Sequence, residues 1–244
     1  MTNWYANFFQ SGPIPATAMY GDYDLPLVFL SYVIASLASF VALDMSAHLR
    51  KPTSTLFWIC WLVMGSLIMG AGIWSMHFVG MLAFKLQMPM SYNFFWTGLS
   101  MLVAVITASI AFFFFIIKKP KIKHYLMSGV ILGIAIPTMH YTGMAGMNNV
   151  IIHYKIIPFM LSILIAIAAA MAALWLSIKS DNGTFFQRLR LKLGSALIMG
   201  FAIVGMHYVG MYAAVFTPDP LMVMQSGSLD PTILSYVSRD PLNF

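Results

Sequence analysis

Charged residues are scarce in this chain: only 8% of its 244 residues are Asp, Glu, Lys or Arg, whereas 60% are hydrophobic. Soluble domains carry about 25% charged residues, so this chain has too few to cover a water-facing surface. The shortage excludes a soluble globular domain and indicates an integral membrane protein in a lipid bilayer. We attribute the net charge of +6 to basic loops that orient the chain in the membrane. No basic stripe with interleaved aromatic residues is present, so we expect no nucleic-acid partner.

Cysteine is almost absent, since Cys60 is the single one. One cysteine excludes an internal disulfide and any Cys-x-x-Cys metal motif. Cys60 lies in an apolar run, where we expect a small buried hydrophobic side chain. No Ser-His-Asp set, phosphate-binding loop or pair of carboxylates can be recognised either. We therefore expect no enzymatic activity; a copper-centred oxidase stays open, but nothing in the sequence marks a substrate pocket.

Long apolar runs are abundant, and six can cross about 30 Å of hydrocarbon at about 1.5 Å per residue. The predicted spans are 25–47, 56–84, 94–117, 126–147, 157–178 and 193–216. The chain is thus predicted to be an all-α membrane protein with one domain over 25–216. The segments 1–24 and 217–244 are predicted tails. Residues 1–24 lack the basic start and early apolar run of a signal peptide.

The basic residues are divided unevenly between the two ends of the spans. Ten of the thirteen Lys and Arg residues follow spans one, three and five. The positive-inside rule then places those three loops in the cytoplasm and both terminal tails outside. Asp44, near the cytoplasmic end of span one, is expected to pair with Arg50 or Lys51, to link helices, or to relay protons.

One pattern, Met-His-aromatic-x-Gly-Met, occurs three times, each time near the end of an even-numbered span. The copies are Met76–Met81, Met139–Met144 and Met206–Met211. Because spans two, four and six run in the same direction, the histidines are expected to lie at similar depth in the outer leaflet. The other histidines lie at span ends or in loops, where we expect solvated or interfacial positions: His48, His124 and His153.

The repeat is wider than this motif and consists of a two-helix hairpin used three times. Glycine stands seven residues before each motif histidine, at Gly70, Gly133 and Gly200. Each odd span carries a stripe of small residues that begins at Ser31, Ser100 or Ser162. Such stripes let helices pack closely in lipid. The sequence therefore predicts three tandem hairpins around a pseudo-threefold axis, on which the three histidines converge.

The side chains of the motif indicate a soft-metal site. Thioethers select Cu(I), and imidazole also suits copper. Residues i and i+4 share a helix face, which pairs His77 with Met81, His140 with Met144 and His207 with Met211. The preceding Met76, Met139 and Met206 lie about 100° away around the helix and either ligate or pack. No carboxylate accompanies the motifs, which argues against Ca and Mg, so copper is the predicted ion.

Three alternatives stay open for these histidines. They would need no metal if each only bonded a hydroxyl or carbonyl on a neighbouring helix. A haem protein would use two of them as axial ligands, although three equivalent histidines suit haem less well. A copper carrier or channel would need Met or His residues across the whole membrane, whereas the motifs occupy one depth.

With these motifs, the chain resembles the MHYT family of bacterial integral-membrane sensor proteins. The resemblance covers about residues 23–216, although only Met139–Thr142 spells Met-His-Tyr-Thr. It implies a multi-pass domain of the bacterial cytoplasmic (inner) membrane whose motif Met and His residues hold copper and sense O2, CO or NO. Family members often carry cyclic-di-GMP enzymes, histidine kinases or DNA-binding domains, and none is recognisable here. Three alternatives stay open for the output: the chain is a stand-alone sensor, it is a subunit that acts on a cytoplasmic or membrane signalling partner, or it is a fragment of a longer protein.

Overall fold

The computed structural model describes residues 8–49, 54–115, 122–179 and 184–219. Its six long helices are α1 (Leu25–Leu49), α2 (Thr55–Ala83), α3 (Phe94–Phe115), α4 (Ile122–Met144), α5 (Ile156–Lys179) and α6 (Phe185–Ala213). All six are long and apolar enough to cross a membrane, which confirms the predicted fold class. The largest difference is at α6, which begins at Phe185 instead of 193. Thr184 and Gln187 form a capping box there and extend the helix by two turns.

In the described part of the chain, four short strands that were not predicted from the sequence lie together at one end of the helices. Strand β1 (Asp22–Tyr23) pairs with β2 (Phe84–Lys85), and β3 (Val150–Tyr154) pairs with β4 (Ala214–Pro218), both antiparallel. Residues 8–20 also reach this end, where the Met19 N–H donates to the Phe216 carbonyl. We call this end of the bundle the strand end. Of the two predicted tails, residues 1–7 and 220–244 lie outside the described residues.

The helices form a closed ring of three hairpins. Helix α1 packs on α2, α3 on α4 and α5 on α6, and each hairpin packs on the next, with α6 returning to α1. The even-numbered helices also contact one another at the centre. This arrangement is the predicted set of three tandem repeats around a pseudo-threefold axis.

The predicted stripes of small residues form the contacts within this ring. Each odd-numbered helix buries a serine and three later small residues, none more than 2% exposed: Ser31, Ala35, Ser39, Ala42; Ser100, Ala104, Ala108, Ala111; Ser162, Ala166, Ala170, Ala173. The glycine seven residues before each histidine lets neighbouring backbones touch. A Cβ added to Gly133 would lie 2.4 Å from the Ile167 Cα, and one added to Gly70 would lie 2.7 Å from the Val105 Cα. Close backbone packing thus joins each hairpin to the next.

Two alanine substitutions in α6 are expected to change stability in opposite directions. A Cβ at Gly200 would meet the Ser36 Oγ at 2.1 Å and its Cα at 3.0 Å, whereas a Cβ at Gly194 would meet nothing within 4 Å. Gly200→Ala should therefore destabilise the bundle by about 1–3 kcal/mol through overpacking. Gly194→Ala should stabilise it by about 0.5–1 kcal/mol through helix propensity. Unfolding midpoints in detergent measure both, and equal shifts of the same sign would contradict the packing described here.

Two residues singled out in the sequence have clear positions. Asp44 of α1 forms an ion pair with Lys192 of α6, so it links two helices that are far apart in the sequence. The expected partners Arg50 and Lys51 lie outside the described residues. Cys60 is exposed on α2, and the prediction of a buried side chain is wrong. The buried residues of α2 all lie between Gly65 and Ala83. Cys60 precedes them, in a part of the helix that the bundle does not bury.

Candidate metal centre

The three motif histidines lie in the last two turns of the central helices, four to six residues before each helix ends. His77 is on α2, His140 on α4 and His207 on α6, and all three side chains are completely buried. Because α2, α4 and α6 run in the same direction and carry the histidines at similar depth, the three imidazoles meet at the axis of the bundle. The predicted convergence of these histidines is confirmed.

Three nitrogens meet at this point, and all are Nδ1 atoms. The His77 Nδ1 lies 3.2 Å from the His207 Nδ1 and 3.1 Å from the His140 Nδ1. The His140 and His207 Nδ1 atoms are 3.2 Å apart, so the three atoms form a nearly equilateral triangle. The centre of a triangle with sides of 3.1–3.2 Å lies about 1.8 Å from each corner, close to metal–imidazole bonds of about 2.0–2.1 Å. The ring nitrogens therefore have the spacing that a three-coordinate ion needs.

Protons alone cannot satisfy this triangle. Each neutral Nδ1 is either an N–H donor or a lone-pair acceptor, so at least two of three mutually contacting atoms have the same character. One of the contacts at 3.1–3.2 Å is then repulsive in a buried site. A central cation approached by three lone pairs removes this conflict. The donor set thus fits a metal ion better than a hydrogen-bonded cluster.

The other ring nitrogen of each histidine lies in a slot formed by a motif glycine of another repeat. A Cβ at Gly80 would meet the His207 Nε2 at 2.4 Å, one at Gly143 the His77 Nε2 at 2.5 Å, and one at Gly210 the His140 Nε2 at 2.7 Å. Among the described residues, none of these three Nε2 atoms makes a hydrogen bond of normal geometry, although the Gly80 backbone lies near the His207 ring. The slots therefore hold each ring by shape, with Nδ1 directed to the axis.

The six motif methionines are all buried but fall into two clusters. Met76, Met139 and Met206 belong to a central core that continues along the helices through Ile73, Ile136 and Ile203. Met81, Met144 and Met211 belong to a second cluster at the strand end, which we call the strand-end cluster. Its buried members are Met19, Met81, Phe84, Met144, Met147, Met211 and Phe216. The predicted ligand methionines thus lie on two sides of the histidine layer, one set toward the strands and one toward the core.

In repeats two and three, the tyrosine after the histidine anchors its helix to an odd-numbered helix, a contact that was not predicted from the sequence. The Tyr141 hydroxyl lies 2.9 Å from the Ser162 Oγ, and the Tyr208 hydroxyl lies 3.3 Å from the Ser31 Oγ. Repeat one has Phe78 instead and lacks this bond. The matched frames of the tyrosines and serines in the sequence were the signal for it.

Two of the remaining histidines, His124 and His153, are separate from the triad. His124 is near the start of α4 and His153 is in β3, and both are partly exposed. The side chain of His48 lies outside the described residues. Within the described part of the chain, the histidine triad is also the one group of three or more His, Cys, Asp or Glu side chains with metal-binding spacing.

The geometry also bears on the alternatives. Axial haem ligands lie on opposite sides of the iron, about 4 Å apart at bonds of about 2 Å, with the porphyrin between them. Nδ1 atoms 3.1–3.2 Å apart leave no room for that ring. Nor do the motif histidines bond to hydroxyls or carbonyls of neighbouring helices through Nδ1, because those atoms contact one another.

Comparison with known proteins identifies the repeat. The sequence profile of the MHYT family, described as a bacterial signalling protein N-terminal repeat, matches residues 70–127 and 133–190. The bifunctional diguanylate cyclase/cyclic di-GMP phosphodiesterase MucR of Pseudomonas aeruginosa is 43% identical over 80% of this chain and 28% of its own length. The signaling protein YkoW of Bacillus subtilis is 40% identical over 81% of this chain and 25% of its own length.

A third relative is the cyclic di-GMP phosphodiesterase NbdA of Pseudomonas aeruginosa, 36% identical over 80% of this chain and 25% of its own length. The chain spans about a quarter of the length of these curated relatives. No solved structure matches it significantly. From the repeat matches, the relatives and the six apolar helices, the chain belongs to the MHYT family of bacterial signalling proteins and is a multi-pass protein of the cytoplasmic (inner) membrane.

Proposed function

We propose that this domain is a copper-dependent sensor of a diatomic gas, O2, CO or NO. The observation that carries the proposal is the triangle of Nδ1 atoms with sides of 3.1–3.2 Å. His77, His140 and His207 would hold the ion, assisted by Met81, Met144 and Met211 from the strand-end cluster. Met76, Met139 and Met206 would complete the set or pack beneath it. Imidazole with thioether is the donor combination that favours copper.

The chain's own residues supply a rigid, dry setting for such a centre. The glycine slots fix the ring orientations, and complete burial of the triad excludes water. Bound copper would supply a redox-active centre with an open position for a gas ligand. Because the gases are small and apolar, they can reach a buried centre through lipid.

We propose that the output belongs to a separate region or partner. The names of two relatives state cyclic di-GMP synthesis or hydrolysis, and the present chain matches only about a quarter of each. We infer a sensory, non-enzymatic role for this chain, coupled to a cytoplasmic or membrane signalling protein. The central helices α2, α4 and α6 would carry the signal from the metal centre across the membrane, because they hold the histidines and also span the bilayer.

The proposal is tested by metal analysis of protein purified in detergent from copper-supplied cells. We expect about one copper per chain, since three nitrogens around one point hold a single ion. Added CO should give an infrared C–O stretch with the Cu(I) form and none with His77→Ala. A haem absorption band, zinc in place of copper, or well-folded protein without copper would refute the copper centre.

We also propose that the strand end and both termini face the outside of the cell, because ten of thirteen basic residues follow the odd-numbered spans. A reporter enzyme active only in the cytoplasm should be inactive when fused after Phe244. The same reporter inserted after Lys119, in a basic loop, should be active. The reverse pattern would overturn this orientation and place the histidine triad nearer the cytoplasm.

A further inference from the structure

The strand-end cluster has an unusual composition. Five of its seven buried members are methionines, and Met88 and Met90 pack against it. Two of the buried five, Met19 and Met147, lie outside the repeated motif, in segments that cover the end of the bundle. Methionine often fills gaps in apolar cores, but the central core has only five methionines among eighteen buried residues. Thioethers are therefore concentrated between the histidine triad and the strand end.

A cavity connects this cluster to the surface. It has a volume of about 160 Å³, and its wall includes Met19 and Met211. Tyr20, also in its wall, is 72% exposed, so the cavity opens at the strand end. Met211 is four residues after His207 and lies on the same face of α6. The cavity wall thus carries two thioethers, Met19 and Met211, and Met211 is one helical turn from His207 of the triad.

We propose that this cavity and the thioethers of Met19 and Met211 form the route by which Cu(I) reaches the histidine triad from outside. This inference rests on the proposed copper centre. A charged ion cannot reach a buried site through hydrocarbon without a large free-energy cost, whereas a diatomic gas can. The ion must leave water stepwise, and soft thioether sulfurs can replace its water ligands on the way.

The other groups at the cavity favour a soft, weakly hydrated ion. The phenol of Tyr23 remains neutral, because burial and the nearby Tyr208 raise its pKa to about 12. Lys155 also lines the cavity and is held over the Tyr212 ring, with its Nζ 4.8 Å from the centroid. This positive charge opposes any cation, so passage depends on bonding to sulfur. The route therefore selects against Mg²⁺ and Ca²⁺, which prefer oxygen ligands.

The test measures rates of copper transfer with the full chain in lipid nanodiscs. Apo-protein is mixed with Cu(I) held by a coloured chelator, and loading and removal are followed by absorbance. Met19→Leu keeps the side-chain volume and the backbone bond to Phe216. It should slow copper loading and copper removal by the same factor, about tenfold, because one transient sulfur ligand along the route is lost. The final copper content and the copper affinity should stay unchanged. Met160→Leu, on the exposed face of α5, is the matched control and should change neither rate.

Two further variants probe the cavity itself. Ala18→Leu, which narrows it, should also slow both rates. Lys155→Gln, which removes the opposing charge, should speed loading about threefold at low salt.

Wild-type rates in Met19→Leu and Ala18→Leu would overturn the route while leaving the copper centre intact. A changed affinity in Met19→Leu would make Met19 a resident ligand and also overturn it. Wild-type protein that takes up no copper would refute the centre and the route together.

Discussion

Replacing any one of His77, His140 and His207 with alanine is expected to abolish stable copper binding. Each histidine supplies one corner of the Nδ1 triangle, and two nitrogens cannot enclose an ion at the same point. Loss of a supporting contact around a metal typically lowers affinity 10–100-fold, so loss of a direct ligand should cost more than about 100-fold. Competition with a Cu(I) chelator measures the affinity, and the unfolding midpoint of the apo-protein shows that each variant is folded.

The chain offers internal controls for this experiment. His124 and His153 have the same chemistry but lie outside the triad, so their replacement by alanine should leave copper affinity unchanged. The three triad variants should also resemble one another, because the triangle is nearly equilateral. Equal copper loss in the control variants, or copper retained in a triad variant, would show that the histidines pack without ligating.

Span direction and helical periodicity were sufficient to predict this triad. Spans two, four and six run in parallel, and a matched position in each repeat fixes both depth and facing side. The same reasoning predicted the buried stripes that begin at Ser31, Ser100 and Ser162. These features depend only on local geometry, repeated three times, so the sequence determines them without knowledge of which helices are neighbours.

Features that depend on the order of helices around the axis could not be predicted in this way. Periodicity does not state whether the slot at Gly143 receives a ring from α2 or from α6; in the structure it receives His77. The pairing of Asp44 with Lys192 likewise requires α1 and α6 to close the ring. The strands at the end of the bundle were missed for two reasons. The pair Asp22–Tyr23 with Phe84–Lys85 is too short to produce an alternating pattern. The pair Val150–Tyr154 with Ala214–Pro218 starts on both sides with consecutive apolar residues, which in β4 continue the apolar run of predicted span six.

Filling a glycine slot is expected to impair copper binding without removing any ligand. A Cβ at Gly210 would lie 2.7 Å from the His140 Nε2, which is inside van der Waals contact, so the ring must tilt and move its Nδ1 off the axis. Gly210→Ala should therefore lower copper affinity about 10–100-fold, as expected for a contact that orients a ligand. Gly205→Ala, on the same helix, is the matched control, since its Cβ would make an ordinary 3.7 Å contact with Ile165.

The stability of the apo-protein gives an independent measure of the same slot. Gly210→Ala should destabilise wild-type protein, because the added methyl group and the His140 ring compete for one space. In a His140→Ala background the ring is gone, and the Tyr141 hydroxyl, 3.3 Å from the added Cβ, needs to shift only slightly. Gly210→Ala should then become neutral or stabilising by up to about 1 kcal/mol, the usual gain of alanine over glycine in a helix. A double-mutant cycle on unfolding midpoints measures this change of sign. Additive effects would mean that Gly210 does not hold the His140 ring. The claim that a glycine slot of each repeat orients the histidine of another repeat would then have to be rejected.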